Sequence, residues 1–153
     1  MPEISQSAPD FTLPSTGGAE VTLSALKGQP VVLFFYPRDD TPGCTKESTG
    51  FSESREAFND AGARVFGISK DSMASHEKFA TKRDLQIPLL SDENSTVCEE
   101  YGVWKEKNMY GKKYMGIERT TYLIDANGTV AQVWNKVKVP GHVEAVLEAV
   151  QAL

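Results

Sequence analysis

Two cysteines, Cys44 and Cys98, are the strongest nucleophiles in the chain, and their neighbours differ. Cys44 lies in Tyr36-Pro37-Arg38-Asp39-Asp40-Thr41-Pro42-Gly43-Cys44-Thr45-Lys46-Glu47, directly after the apolar run Val31 to Tyr36. That order predicts a core strand, a turn shaped by Pro42 and Gly43, and the first turn of a helix at Cys44. Open α/β sheets place their sites at the carboxyl ends of strands. Free N–H groups and the positive end of the helix dipole favour an anion there. The thiolate is the reactive form of cysteine. Thr41 adds a hydroxyl within a few residues. Two chemistries suit a thiol at a helix entry, dithiol exchange and peroxide reduction. Exchange needs a second thiol three residues on, and that position is Glu47. Cys98 sits in Ser95-Thr96-Val97-Cys98-Glu99-Glu100-Tyr101, beside core-type Val97, and reads as a buried structural thiol.

Other constellations are weaker. Cys44, His76, Cys98 and His142 match no zinc spacing, so no metal site is expected. His76 is expected to cap or pack beside Asp71-Ser72. His142, at the start of a helix, is expected to be exposed. Phosphate loops, nucleophile elbows and dinucleotide fingerprints are absent, and no cofactor is implied.

The elements that must position Cys44 follow from periodicity. Phe11 to Leu13 and Val21 to Leu23 alternate around Gly17-Gly18 and predict an N-terminal β-hairpin. Ser24 can cap a short turn through Lys27. Val31 to Tyr36 is apolar on both faces, as in a central strand covered on both sides. A helix is predicted from Cys44 to Ala61, with Phe51 and Phe58 on one face and Gly62 as C-cap. Arg64 to Ser69 is the next strand, parallel to the first by a right-handed crossover. Ser75 to Asp84 reads as helix. Ile87 to Leu90 reads as a short edge strand broken by Pro88. Asn94 or Ser95 can cap a helix through Tyr101. Trp104 to Ile117, rich in Gly, Lys and aromatic residues, reads as a long loop, with two readings open: it packs over the site and meets a reductant, or it is an ordered insert packing on its own sheet. Thr121 to Ile124 and Thr129 to Trp134 form a second hairpin. Gly141 to Leu153 closes the chain as an amphipathic helix. The result is a three-layer α/β/α domain with a mixed central sheet, spanning residues 1–153.

Composition bounds the partners. A net charge of -5 and a pI near 5.1 argue against nucleic acid and anionic membranes. The first residues lack a basic and apolar leader pattern, and the longest strongly apolar run is far short of a membrane span. A cytoplasmic location is expected. Two cysteines in a chain this size do not make a disulfide scaffold.

Pro37-x-x-x-Thr41-x-x-Cys44 resembles the active-site motif of the peroxiredoxins. Thr41-Pro42-Gly43-Cys44-Thr45 resembles their Q-type branch, the bacterioferritin comigratory proteins. The likeness extends through Ala8-Pro9-Asp10-Phe11, Ile68-Ser69-Lys70-Asp71-Ser72, Leu89-Leu90-Ser91-Asp92 and Arg119 to Asp125. It implies a thioredoxin-like fold and a thiol peroxidase acting on hydrogen peroxide and organic hydroperoxides. Cys44 resembles the peroxidatic cysteine, and Thr41 the hydroxyl that bonds thiolate and peroxide. Pro37 resembles the shielding ring, and Arg119 the arginine that pairs with the thiolate. A free thiol of pKa about 8.5 is only a few per cent ionised at pH 7. Full ionisation gains roughly thirtyfold, about 2 kcal/mol. A lower pKa also makes sulfur a poorer nucleophile. Donors aimed at the transferring oxygens must supply the rest.

The resemblance also shows a gap. Q-type relatives carry a resolving cysteine where this chain has Thr49, or near Ala80. Only Cys98 remains as a candidate resolver. The expectation is a one-cysteine mechanism, with thioredoxin, glutaredoxin or a low-molecular-weight thiol attacking the Cys44 sulfenic acid, in a monomer. The alternative is a redox sensor or holdase switched by Cys44 without turnover.

Overall fold

The computed structural model describes all 153 residues. Its centre is β3 (Val31–Phe35), buried along its whole length. Successive side chains of a strand point to opposite faces. Val31, Leu33 and Phe35 therefore enter one core, and Val32, Phe34 and Tyr36 the other. β3 pairs in parallel with β4 (Arg64–Ser69), which pairs in parallel with β5 (Leu89–Ser91). On its other side it pairs antiparallel with β8 (Thr120–Ile124), and β8 with β9 (Val130–Trp134). The sheet order is β5-β4-β3-β8-β9.

One face is covered by α1 (Pro42–Glu53), α2 (Arg55–Asp60), α3 (Met73–Lys82) and α5 (His142–Gln151). These bring Phe51, Phe58, Phe79, Val146 and Val150 onto Val32 and Phe34. The Phe34 and Phe51 rings stack with centroids 4.6 Å apart. Each such fully buried ring contributes on the order of 1.5–3 kcal/mol. Gly67 makes this packing possible, since a Cβ there would lie 2.7 Å from Phe34 Cζ and 2.9 Å from Leu89 Cδ2. The other face is closed by the hairpin β1 (Thr12–Pro14) and β2 (Glu20–Thr22), a 3-10 turn (Leu23–Leu26) and α4 (Val97–Glu100). The fold is three-layered with a mixed sheet, as expected, although the second covering layer is thin in helix.

Four local expectations change. The helix after β3 starts at Pro42, which fits the first helical position because its missing N–H has no partner to lose. Ser54 then divides it, so α2 is a separate short helix whose Phe58 meets Phe51 at 5.7 Å. The N-cap residue of α4 is Thr96, and the side chain that caps it is that of Asp92, not Asn94 or Ser95. Its carboxylate accepts the Val97 and Cys98 N–H groups at 3.1 and 2.7 Å. Trp104 to Ile117 is not a loop but the hairpin β6 (Trp104–Met109) and β7 (Lys112–Ile117), in unbroken register. Its two-residue turn, Tyr110-Gly111, has positive φ at both positions (53° and 80°), as a type I′ turn requires. Both strands are mostly solvated, so alternation gives no signal, and Lys, Glu and Asn are poor strand formers. His142, expected to be exposed, is only 6% exposed.

Candidate active site

The site forms where α1 leaves the carboxyl end of β3. Thr41 is the N-cap, with extended backbone, and Cys44 is the third helical residue. The N–H groups of a first turn have no intrahelical acceptor, so those of Gly43 and Cys44 are free to bind an anion. Cys44 is 1% exposed and packs in the core containing Tyr36 and Phe51.

Arg119 reaches this sulfur because of sheet pairing. β8 runs antiparallel to β3 with Thr120 opposite Phe35, so the residue before Thr120 lands beside the end of β3. Nη2 of Arg119 donates to Cys44 Sγ at 3.3 Å, and Nη1 donates to Glu47 Oε1 at 2.7 Å. Glu47 lies one helical turn after Cys44, hence on the same face. A planar guanidinium with fixed donors can hold both at once. Gly43 leaves room for it, since a Cβ there would stand 3.1 Å from Nη2. Burial works against the Arg119 charge, but the acidic partners Glu47 and Cys44 hold its pKa above the usual range.

Glu47 has no exposure, and burial pushes its pKa up to about 7, with Arg119 pulling the other way. Its Oε2 has no hydrogen-bond partner. His142 Nε2 lies 3.8 Å from that oxygen and 2.8 Å from Thr121 Oγ1. Burial, and next the Arg119 charge, pull His142 down to about 4, so the ring is neutral. Lys107, half-buried on β6, is held below the usual lysine range by burial and by Arg119. The Arg119 charge is thus felt on the hairpin, whose strands pair with each other.

The other expected residues lie as follows. Pro37 is half-buried at the bend after β3. The Thr41 hydroxyl donates to the Arg38 carbonyl at 3.0 Å. Cys98 is fully buried, but in the core on the opposite face of the sheet from Cys44. A disulfide needs Cα atoms within about 7 Å, so the two thiols cannot join in this conformation. Burial, and then Asp92, push the Cys98 thiol far above its usual range.

His76 packs near Asp71 as expected, with Asp39 as its main partner. Nδ1 meets Asp39 Oδ2 at 2.7 Å, and Nε2 meets the Leu90 carbonyl at 2.9 Å. Asp39 also accepts from Tyr36 Oη at 2.6 Å and Ser75 Oγ at 2.7 Å. Burial would raise its pKa, but these bonds hold it below the usual range. Asp39, Asp71 and His76 place ligand-type atoms within 4.8 Å of one another. Those atoms are already occupied by hydrogen bonds, so the cluster fits a clamp on the loop before Cys44 better than a metal centre. Cys44, His76, Cys98 and His142 are not brought together.

Residues 4–133 match the AhpC/TSA family model. The chain belongs to the AhpC/TSA family. Within it the chain is a peroxiredoxin of the Q type, a thiol-dependent peroxidase. It is 54% identical to the putative peroxiredoxin Bcp of Coxiella burnetii over 95% of this chain and 96% of that one. Peroxiredoxin Bcp of Bacillus subtilis is 46% identical over 97% and 95%. A structure of the Xanthomonas campestris bacterioferritin comigratory protein superposes with TM-score 0.91 and 44% identity, covering 98% of both chains. In this peroxiredoxin, sequence reasoning passed over Glu47, Thr121 and the burial of His142. Glu47 had one available signal, its i, i+3 spacing from Cys44. Nothing local marks Thr121 or His142, which join the site only through the β3–β8 pairing and the α1–α5 contact.

Proposed function

We propose that Cys44 is the peroxidatic cysteine of a peroxidase for hydrogen peroxide and organic hydroperoxides, yielding water and alcohols. The observation that carries this is the Arg119 guanidinium 3.3 Å from Cys44 Sγ, at the open end of α1. The thiolate attacks the terminal peroxide oxygen, an S–O bond forms, and the O–O bond breaks. Arg119 and the first-turn N–H groups stabilise charge on the departing oxygen. The Thr41 hydroxyl turns from the Arg38 carbonyl to the peroxide, and Pro37 shields the sulfur from water. The Xanthomonas campestris relative's structures bear on alkyl peroxide reduction, which supports organic hydroperoxides as substrates.

The sulfenic acid then needs a thiol. With Thr49 where a resolving cysteine is expected and Cys98 across the sheet, that thiol is external: thioredoxin, glutaredoxin or a small thiol. A single domain working as a cytoplasmic monomer fits this reading, because the resting enzyme needs reduced thiols. No helix is long and apolar enough to cross a membrane.

Stopped-flow oxidation by hydrogen peroxide tests the assignment, followed by turnover with a panel of reductants. Cys44→Ser should abolish reaction, and Arg119→Ala should lose about 10²–10³-fold, the usual loss for such a donor. Turnover by Cys44→Ser would end the assignment. Oxidation of the wild type without sustained turnover under any reductant would favour a redox switch.

A further inference from the structure

Arg119 stands between two groups that can each be anionic. Nη2 serves Cys44 Sγ at 3.3 Å and Nη1 serves Glu47 Oε1 at 2.7 Å. Glu47 is sealed from solvent, and its Oε2 is without a hydrogen-bond partner. An ionised carboxylate with a bare buried oxygen is costly. The charged groups around it are few. His142 faces Oε2 from α5 at 3.8 Å, but its Nε2 is engaged with Thr121 Oγ1 at 2.8 Å. It also sits at the first residue of α5, where the helix dipole disfavours a cation. Lys107, on the hairpin, feels the charges of Arg119, Cys44 and Glu118, and Glu118 pairs with Lys105 Nζ at 3.4 Å. Arg119 is thus the one cation hydrogen-bonded to both acids.

We propose that Cys44 and Glu47 share a single negative charge across Arg119, so that oxidation of Cys44 releases a proton from Glu47. The proposal rests on Cys44 being the peroxidatic thiol. In the reduced enzyme Cys44 is the anion and Glu47 carries its proton on Oε2, the unpartnered oxygen. The raised titration range of Glu47 agrees with this. When the thiolate attacks, sulfur loses two electrons and the peroxide gains them. The O–O electron pair leaves on an alkoxide or hydroxide, which takes a proton from water. The sulfenic acid is neutral, so its claim on Arg119 falls away. Losing a nearby negative charge lowers a carboxyl's pKa. The Glu47 O–H bond then breaks, its proton passes to solvent, and the carboxylate takes the guanidinium. The proton consumed by the leaving oxygen is matched by the one Glu47 gives up.

The test uses the full chain, oxidised by one equivalent of hydrogen peroxide in weak buffer at a pH just below neutrality. An indicator dye counts solvent protons, infrared difference spectra follow the carboxylic-acid C=O band, and intact mass reports the product. The wild type should lose a carboxylic-acid band on oxidation and show little net proton uptake. Glu47→Gln should lack the band change and take up close to one proton more per Cys44. Carboxyl-labelled glutamate in the wild type assigns the band without any substitution, should the variant fail to fold. If Cys44 gains one oxygen while the band and the proton count stay as in Glu47→Gln, charge sharing is wrong. If Cys44 gains no oxygen, the peroxidatic reading itself fails, and this inference with it.

Discussion

Gly43→Ala separates the Arg119–sulfur contact from every other feature of the site. The new Cβ would stand 3.1 Å from Arg119 Nη2, closer than a methyl and a guanidinium nitrogen ordinarily approach. The guanidinium must yield by a few tenths of an ångström. It cannot swing freely, because Nη1 is tied to Glu47 at 2.7 Å. The contact that gives is therefore the longer one, Nη2 to Sγ at 3.3 Å. A hydrogen bond to a charged group contributes about 1.5–3 kcal/mol. Its complete loss from the transition state would slow the reaction by roughly 10- to 150-fold, and partial displacement by a smaller factor. Stability should move the other way. Gly43 is at the second helical position and has no positive φ to lose, so alanine favours the helix by up to about 1 kcal/mol. The expected signature is an unchanged or raised urea midpoint with at least a several-fold slower peroxide reaction. Stopped-flow tryptophan fluorescence, from Trp104 and Trp134, reads the rate. A variant as fast as wild type would show that the Arg119–Sγ contact does not limit the chemistry. A rate loss accompanied by equal destabilisation would show that the helix start was merely disturbed.

Cys98→Ser should leave peroxide turnover unchanged, and wild-type Cys44 should gain one oxygen without forming an internal disulfide. Mass spectrometry under non-reducing conditions checks both, and loss of two hydrogens instead would implicate Cys98 as resolver. Asp39→Asn should destabilise the fold by about 3 kcal/mol, because it breaks a buried pair with His76 that also receives Tyr36 and Ser75. A urea midpoint close to wild type would refute the clamp. Glu47 and His142 should shape stability with opposite slopes in pH. Folded Glu47 keeps its proton up to about 7, whereas the unfolded group loses it near 4.5, so its stabilisation is complete below 4.5 and lost as pH rises through 7. Folded His142 refuses a proton down to about 4, whereas the unfolded ring binds one below 6.5, so stability falls as pH drops from 6.5 towards 4. Glu47→Gln should flatten the first slope and His142→Gln the second in urea titrations across this range. Curves parallel to wild type would show that neither group is perturbed as described.

Short-range patterns carried much of this protein into view from its residues alone. The unbroken apolar run of β3 required cover on both faces, and the period of the following helices supplied it for one of them. Pro42, Gly43 and Cys44 announced a thiol at a helix entry, because dihedral limits and free N–H groups are local properties. Other parts were decided only by tertiary structure. The hairpin β6–β7 has few apolar residues and two solvated faces, so its strands exist through pairing and a turn with positive φ rather than through burial. Asp92 caps α4 from beyond the residues that looked like caps, because the end of β5 carries it there. Arg119 and His142 meet α1 only after β8 has paired with β3 and α5 has packed on α1. A residue's charge can be read from its type. Its neighbours across a sheet, and thus whether a carboxyl holds its proton or a ring stays neutral, depend on contacts between residues far apart in the chain.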